Sequence, residues 1–180
     1  MMRRLRNGMI LSAALIAIQI GLAADLTQGP AGTKLEQQVR RELVTLPYYN
    51  LFDSFSFRVD GDAVTLMGEV TRPTLKSDAE NVVKRIEGIR TVNNQIEVLP
   101  LSPNDDRLRL SLYRAIYGHS ALQTLAIRAV PTIHILVKNG NVTLEGAVGN
   151  SMQKTIAGMQ ANSVSGVFSV TNNLLVDDAS

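Results

Sequence analysis

The chain has 180 residues, 45% of them hydrophobic, which is enough for one or two small domains with a core. It contains no cysteine, which excludes disulfides, thiolate zinc sites and cysteine nucleophiles. Its net charge of +2 comes from 18 basic and 16 acidic residues. A basic chain can attract nucleic acid or anionic membranes, but only if the surplus charge belongs to the folded protein.

The N-terminal segment, 1–24, has the layout of a secretory signal peptide. Three arginines precede an uncharged run over residues 9–22, and Gly21 and Ala23 frame a cleavage site. The alternative is an uncleaved anchor, for which the apolar run is short. Cleavage removes three of the 18 basic residues and none of the 16 acidic ones, which leaves 15 against 16 and a net charge of −1. We therefore expect an exported, periplasmic and soluble product that binds no nucleic acid.

Two segments of the chain repeat each other at a constant shift. Residues 59–96 align without a gap on residues 137–174, and about 11 of the 38 aligned positions are identical. Such a match indicates a duplicated module. We predict a signal peptide at 1–24, a first module at 33–99, a linker at 100–105, a second module at 106–176 and a tail at 177–180.

Within the first copy, periodicity predicts five elements. Apolar residues recur at helical spacing over 35–46, and alternation over 55–70 predicts a hairpin with its turn at Gly61-Asp62. This turn places Val59 opposite Val64 and puts the apolar residues of the hairpin on one face, while the other face is largely polar. A second helix is predicted over about 73–87, followed by a third strand.

The second copy repeats this order, with Asn139-Gly140 as its hairpin turn. The predicted fold class is α+β, with each module a three-stranded mixed sheet that carries two helices on one face. Gly68 and Gly146 occupy equivalent positions in the two hairpins, and we expect both to have structural roles. Asn94 and Asn172 have the parity of inward residues in the third strands, so we expect buried amides that hydrogen-bond neighbouring backbone.

The repeated motifs resemble those of the BON domain, named for bacterial osmotically induced and nodulation proteins. The resemblance rests on the hairpin segments 59–70 and 137–148, the central helix alanines Ala79 and Ala157, and a closing G-[VI]-x-x-V-x-N-x-[LI] motif. It covers nearly all of the chain after the signal peptide. It implies a non-catalytic protein of the cell envelope, connected with phospholipid binding or protection against osmotic stress.

No residue pattern predicts an enzyme, a metal site or a cofactor. Nucleophile-elbow, phosphate-loop and zinc-protease motifs do not occur in the sequence, and His119 and His134 are well separated along the chain and have no cysteine near them. The hairpin register sets His134 opposite Glu145, either as a pH-sensitive contact or, more simply, as a partly exposed cross-strand pair. Asp105 and Asp106 are expected to cap the next helix and compensate its dipole.

The outer side of the second module's first helix is the best candidate for a binding surface. On a helical wheel, the side away from the core holds Arg107, Leu110, Tyr113, Arg114 and Tyr117. Tyrosines beside arginines suit the headgroup layer of a bilayer. The predicted partner is therefore an anionic phospholipid surface.

Two other interpretations of this face stay open. The segment 120–132 carries apolar residues that could pack over Tyr113 and Tyr117; these are Leu122, Leu125 and Ile127. The face could also dock an envelope protein or a second copy of the chain, which would make the protein an adaptor or a homo-oligomer.

Overall fold

The computed structural model describes residues 24–25, 33–127 and 131–177, which form two α+β modules in tandem. The first comprises β1 (Ala24–Asp25), α1 (Lys34–Val44), β2 (Ser54–Asp60), β3 (Ala63–Val70), α2 (Pro73–Val83), β4 (Thr91–Asn94) and β5 (Glu97–Val98). The second comprises α3 (Pro103–Tyr117), a 3-10 helix (Gln123–Ile127), β6 (Ile133–Lys138), β7 (Asn141–Val148), α4 (Ser151–Asn162), β8 (Ser169–Asn172) and β9 (Leu175–Val176). The predicted fold class is confirmed.

Both hairpins have the predicted register. Val59 pairs with Val64, and His134 pairs with Glu145. The second turn has positive φ at both central residues, 52° at Asn139 and 77° at Gly140, which is the conformation that an Asn-Gly pair favours. The alternation of apolar and polar residues therefore identified the buried face of each hairpin correctly.

Several element boundaries differ from the predicted ones. α2 ends at Val83, before the expected end at about residue 87. α3 begins at Pro103, inside the segment 100–105 assigned to the linker, because the Ser102 side chain caps it and proline suits the first helical position. The strand β1 adds to the edge of β2. The predicted signal peptide lies outside the described residues, apart from Ala24.

Each module has a mixed sheet in which the last strand is interrupted. β3 pairs in parallel with β4 and then with β5, and β7 pairs in the same way with β8 and then with β9. The interruption follows Asn94 in the first module and Asn172 in the second. Each predicted third strand is thus two short strands on the same neighbour.

The two helices of each module cover the apolar face of its own sheet. Buried side chains of the first core include Val39, Leu43, Phe55, Phe57, Leu66, Leu75, Ala79 and Ile96. The second core is built from the equivalent elements and includes Leu112, Ile116, Ile133, Ile135, Leu144, Ala157, Ala161 and Leu174. Within the described residues, no helix has the length and apolar composition needed to span a bilayer.

The two sheet faces without helices lie opposite each other. A cleft of about 330 Å³ is lined by Ser56 and Glu69 of the first sheet and by Leu136, Thr143 and Glu145 of the second. The molecule is therefore layered as helices, sheet, cleft, sheet, helices. The largely polar faces predicted for the two hairpins therefore lie over each other where they line the cleft.

Candidate functional site

The outer side of α3 is only partly exposed. Tyr117 retains 5% of its accessible surface, and its hydroxyl donates to the Ile133 carbonyl at 2.8 Å and accepts from the Ile133 amide at 3.0 Å. Burial raises the pKa of the Tyr117 phenol, since the ionised form would lose hydration. The expectation that Tyr117 lies on an exposed face is wrong, because a tyrosine hydroxyl that bonds the backbone of β6 turns the ring inward.

Protein from the segment after α3 provides part of the cover. Leu122 is fully buried in the second core together with Tyr117, and Leu125 packs against that core. Ile127 is 82% exposed and does not belong to the buried core. The interpretation in which this segment packs over the tyrosines thus holds for Tyr117.

Four of the five predicted residues remain at the surface. Arg107, Leu110 and Arg114 are exposed, and Tyr113 is 37% exposed with its ring centroid 5.3 Å from that of Tyr117. Of the two rings in this aromatic pair, Tyr113 therefore lies at the surface and Tyr117 lies in the core. The four exposed residues combine basic and apolar side chains. An anionic surface can attract the arginines and bury the apolar side chains.

Two charged residues of α3 have roles that the sequence did not reveal. Arg109 is buried and donates to the Asp106 carboxylate at 2.5 Å and to the Val137 carbonyl at 2.7 Å. The buried Asp105 carboxylate accepts from the amides of Asn139 and Gly140, both at 2.9 Å. These bonds tie α3 to the hairpin turn. The Asp105 carboxylate therefore binds the hairpin turn, and Ser102 supplies the helix cap that was expected from the aspartates.

The equivalent asparagines link the last strands to the helices. The Asn94 amide donates to the Lys76 carbonyl at 2.9 Å, and its oxygen accepts from the Ile96 amide at 3.1 Å. Asn172 makes the matching bond to the Lys154 carbonyl at 2.8 Å. The expected backbone bonds are present, although both amides are half-buried and not fully buried. Each asparagine satisfies the backbone where the strand is interrupted.

The equivalent glycines occupy backbone conformations that other residues rarely adopt. Gly68 has φ of +118° and Gly146 has φ of +111°. A Cβ atom on Gly68 would lie 2.1 Å from the Ser54 carbonyl oxygen on the neighbouring strand. The structural role expected for Gly68 thus has two causes, the positive φ and the close approach of β2.

The loop 45–53 of the first module and the start of β2 contact the second module. The Leu51 carbonyl accepts from the Ile135 amide at 2.8 Å, so that the loop covers the outer edge of β6. The Ser54 hydroxyl donates to the Glu145 carboxylate at 2.5 Å. Leu51 and Phe52 also pack against the second core. This loop was missed in the sequence because its partners belong to the other module and are remote along the chain.

A family model for the BON domain matches residues 32–100 and again residues 104–178. The chain belongs to the BON domain family. BON domains are in general non-catalytic modules of periplasmic, envelope-associated proteins. No curated protein matches the chain.

Among solved structures, the chain is similar to two of CdsD, a structural protein of the type III secretion system of Chlamydia trachomatis. The first, the C-terminal domain, is 12% identical, with 81% of this chain and 98% of that chain covered and a TM-score of 0.29. The second is 14% identical, with 81% and 94% covered and a TM-score of 0.29.

The cleft between the two BON modules collects carboxylates. Glu69 and Glu97 are neighbours on parallel strands, and Glu145 faces them from the second module. Burial raises the pKa of Glu69, and the negative charges of Glu97 and Glu145 raise it further, while Lys138 opposes them. Lys138 lies 2.5 Å from Glu97 and joins the modules at the cleft rim.

No metal-binding group is found in the described part of either BON module, since no three Asp, Glu, His or Cys side chains lie together in a suitable arrangement. His134 is buried between the modules, so the expectation of a partly exposed pair with Glu145 is wrong. His119 follows α3, is half-buried, and accepts at Nδ1 from the Ala121 amide at 3.3 Å.

Proposed function

We propose that the chain is an exported periplasmic protein whose second BON module binds anionic phospholipid surfaces and thereby supports the envelope under osmotic stress. The binding surface is the exposed part of α3, formed by Arg107, Leu110, Tyr113 and Arg114. Its arginines attract phosphate groups, and its apolar side chains enter the headgroup layer.

A contrast within the chain carries this proposal. In α1, the helix equivalent to α3, the positions of Leu110 and Tyr113 hold Gln37 and Arg40. The module fold therefore does not require apolar residues at these positions. Their presence in α3, exposed and next to arginines, is a property of the second module alone and supports a binding role.

Vesicle co-sedimentation tests the proposal. The mature chain, residues 25–180, contains both modules and is mixed with vesicles of phosphatidylglycerol and phosphatidylethanolamine at low ionic strength. We expect binding that falls with added salt and that is absent for phosphatidylcholine vesicles. Each arginine near an anionic surface contributes about 1 kcal/mol, so Arg107→Gln/Arg114→Gln should weaken binding by roughly 30-fold.

The control changes the charge by the same amount on the other module. Lys34 and Arg41 are exposed on α1 at the positions equivalent to Arg107 and Arg114. Lys34→Gln/Arg41→Gln should leave binding almost unchanged. Equal losses in the two double variants would point to attraction by overall charge and would overturn the assignment to α3. A wild-type chain that does not sediment with anionic vesicles would overturn the lipid proposal as a whole.

An adaptor is the second candidate, and one exposed aromatic side chain favours it. Phe168 is 85% exposed immediately before β8, the outermost strand of its sheet, and the equivalent residue in the first module is Arg90. An apolar ring beside an unpaired strand edge is suited to docking a protein partner or a second copy of the chain. Light scattering over a range of concentrations tests self-association. A dimer that Phe168→Arg dissociates would support the adaptor, and a monomer at all concentrations would exclude the homo-oligomer.

A further inference from the structure

The outer side of α4 exposes two methionines. Met152 is 70% exposed and Met159 is 64% exposed. Their i, i+7 spacing puts them on the same side of the helix and about 10 Å from each other along its axis. Exposed large apolar residues at two successive positions of one helix face form a small apolar stripe.

The first module again shows that the fold does not need this stripe. The equivalent positions on α2 hold Thr74 and Asn81, which are both exposed. α2 nevertheless caps its sheet in the same way as α4. Packing within the module therefore does not account for Met152 and Met159.

The stripe belongs to the same surface layer as the exposed part of α3. α3 and α4 contact each other and both cover one face of the sheet formed by β6, β7 and β8. Side chains that point away from the sheet on either helix thus share one outer surface. The axes of packed helices lie about 8–10 Å apart, so one bilayer surface can contact the methionines of α4 and the exposed residues of α3 together.

The charge of this layer is complementary to an anionic surface. α4 contains no acidic residue. On α3 the exposed cations Arg107 and Arg114 face the layer, while Asp106 is engaged by Arg109. Arginines beside unbranched apolar side chains are the composition of interfacial helices that lie on anionic bilayers.

The arrangement of the modules leaves this layer accessible. The first module contacts the second through the cleft on the opposite face of the sheet and through the loop around Leu51 at the edge of β6. The helix α4 contacts β7 and β8, away from the β6 edge that this loop covers. Met152, Met159 and Leu110 are exposed in the presence of both modules.

We propose that α4 is a second membrane-contacting helix, and that Met152 and Met159 enter the headgroup region of an anionic phospholipid bilayer together with the exposed residues of α3. This inference rests on the proposed function and adds to it a contact area and an orientation. Both helices lie in the plane of the membrane, and the first module points away from it.

Single-cysteine labelling tests this orientation directly, because the chain contains no cysteine of its own. Met152→Cys, Met159→Cys and Leu110→Cys are labelled with an environment-sensitive fluorophore and titrated with phosphatidylglycerol–phosphatidylethanolamine vesicles. Thr74→Cys and Asn81→Cys are the matched controls on α2. We expect a blue shift of the emission at positions 152, 159 and 110, and no shift at positions 74 and 81.

An unlabelled variant measures the contribution to affinity. Met152→Thr/Met159→Asn gives α4 the residues that α2 carries at the same positions, so the module should keep its fold, which circular dichroism checks. Loss of the two apolar contacts should weaken vesicle binding by about tenfold.

The outcomes separate the two proposals. A shift at Leu110→Cys with none at positions 152 and 159, together with unchanged affinity of the double variant, overturns the role of α4 and leaves binding by α3 intact. A shift at positions 74 and 81 as large as at 152 and 159 overturns the orientation. An absence of any shift and of sedimentation for the wild-type chain rejects the lipid function itself.

Discussion

His134 of the second module donates from Nδ1 to the backbone carbonyl oxygen of Asp53 in the first, across 2.5 Å. A carbonyl can only accept, so Nδ1 carries the proton. The imidazole is 3% exposed and stacks on Tyr49 with ring centroids 5.7 Å apart. Together with the neighbouring bond from Ile135 to Leu51, this contact fixes the orientation of the modules.

Truncation of His134 should loosen the contact between the modules. His134→Ala removes the stacked ring and leaves the buried Asp53 carbonyl without its donor, which should lower the free energy of unfolding by about 1–3 kcal/mol. Urea unfolding followed by circular dichroism measures the loss. His119→Ala, on the half-buried histidine after α3, is the control and should cost less. Equal stability of His134→Ala and the wild type would show that the contact contributes nothing to stability.

The Tyr117 hydroxyl should contribute to stability although it differs from phenylalanine by a single atom. Tyr117→Phe leaves both the amide and the carbonyl of Ile133 without their buried partner, at a cost of about 1–3 kcal/mol. Tyr113→Phe makes the same change on a partly exposed ring and should be almost neutral. Thermal unfolding of the two variants compares them. If Tyr113→Phe cost as much as Tyr117→Phe, the buried bonds would not be the cause.

The two glycines of the first hairpin should respond differently to alanine. Gly68→Ala combines a φ of +118° with a Cβ placed 2.1 Å from the Ser54 carbonyl oxygen, so β2 and β3 must separate. We expect a loss of more than about 3 kcal/mol or failure to fold. Gly61→Ala has a φ of +64° and no atom within 4 Å of the new Cβ, and should cost only about 1 kcal/mol. A mild effect at Gly68 would contradict the close approach of the strands.

The cleft carboxylates should make stability depend on pH. The pKa of Glu69 is raised above its ordinary value of 4.5 by burial and by Glu97 and Glu145. Protonation of Glu69 therefore favours the folded state: its contribution is complete below pH 4.5 and is lost as the pH rises through the raised pKa. Glu69→Gln should raise the melting temperature at pH 8 and have little effect at pH 4.

The solvent exposure of the two glutamates sets the expected size of the Glu69→Gln effect and the choice of its control. Because Glu69 is only partly buried, solvent screening keeps the gain at pH 8 below about 1 kcal/mol. Glu87→Gln changes an exposed glutamate outside the cleft and should not show the same pH dependence. A gain from Glu69→Gln that is equal at pH 4 and pH 8 would rule out relief of charge repulsion as its cause.

Local patterns predicted the module well, because they depend on neighbours in the sequence. Alternation set the register of both hairpins, and the Asn139-Gly140 pair set the second turn. The side of α3 that bears Arg107 and Leu110 was also predicted from helical spacing. Tyr117 was not, since its hydroxyl bonds to the Ile133 backbone, which only the folded second module brings within reach.

The sequence by itself determined that this protein contains two copies of one BON module, and that its surplus positive charge lies in the N-terminal segment before the first module. Repetition and periodicity are properties of the linear chain, so one sequence suffices to find them. The tertiary structure decided which polar residues are buried and which apolar residues stay exposed. His134, Asp105 and Arg109 acquired buried partners, and Met152 and Met159 stayed at the surface, because burial depends on which distant segments pack together.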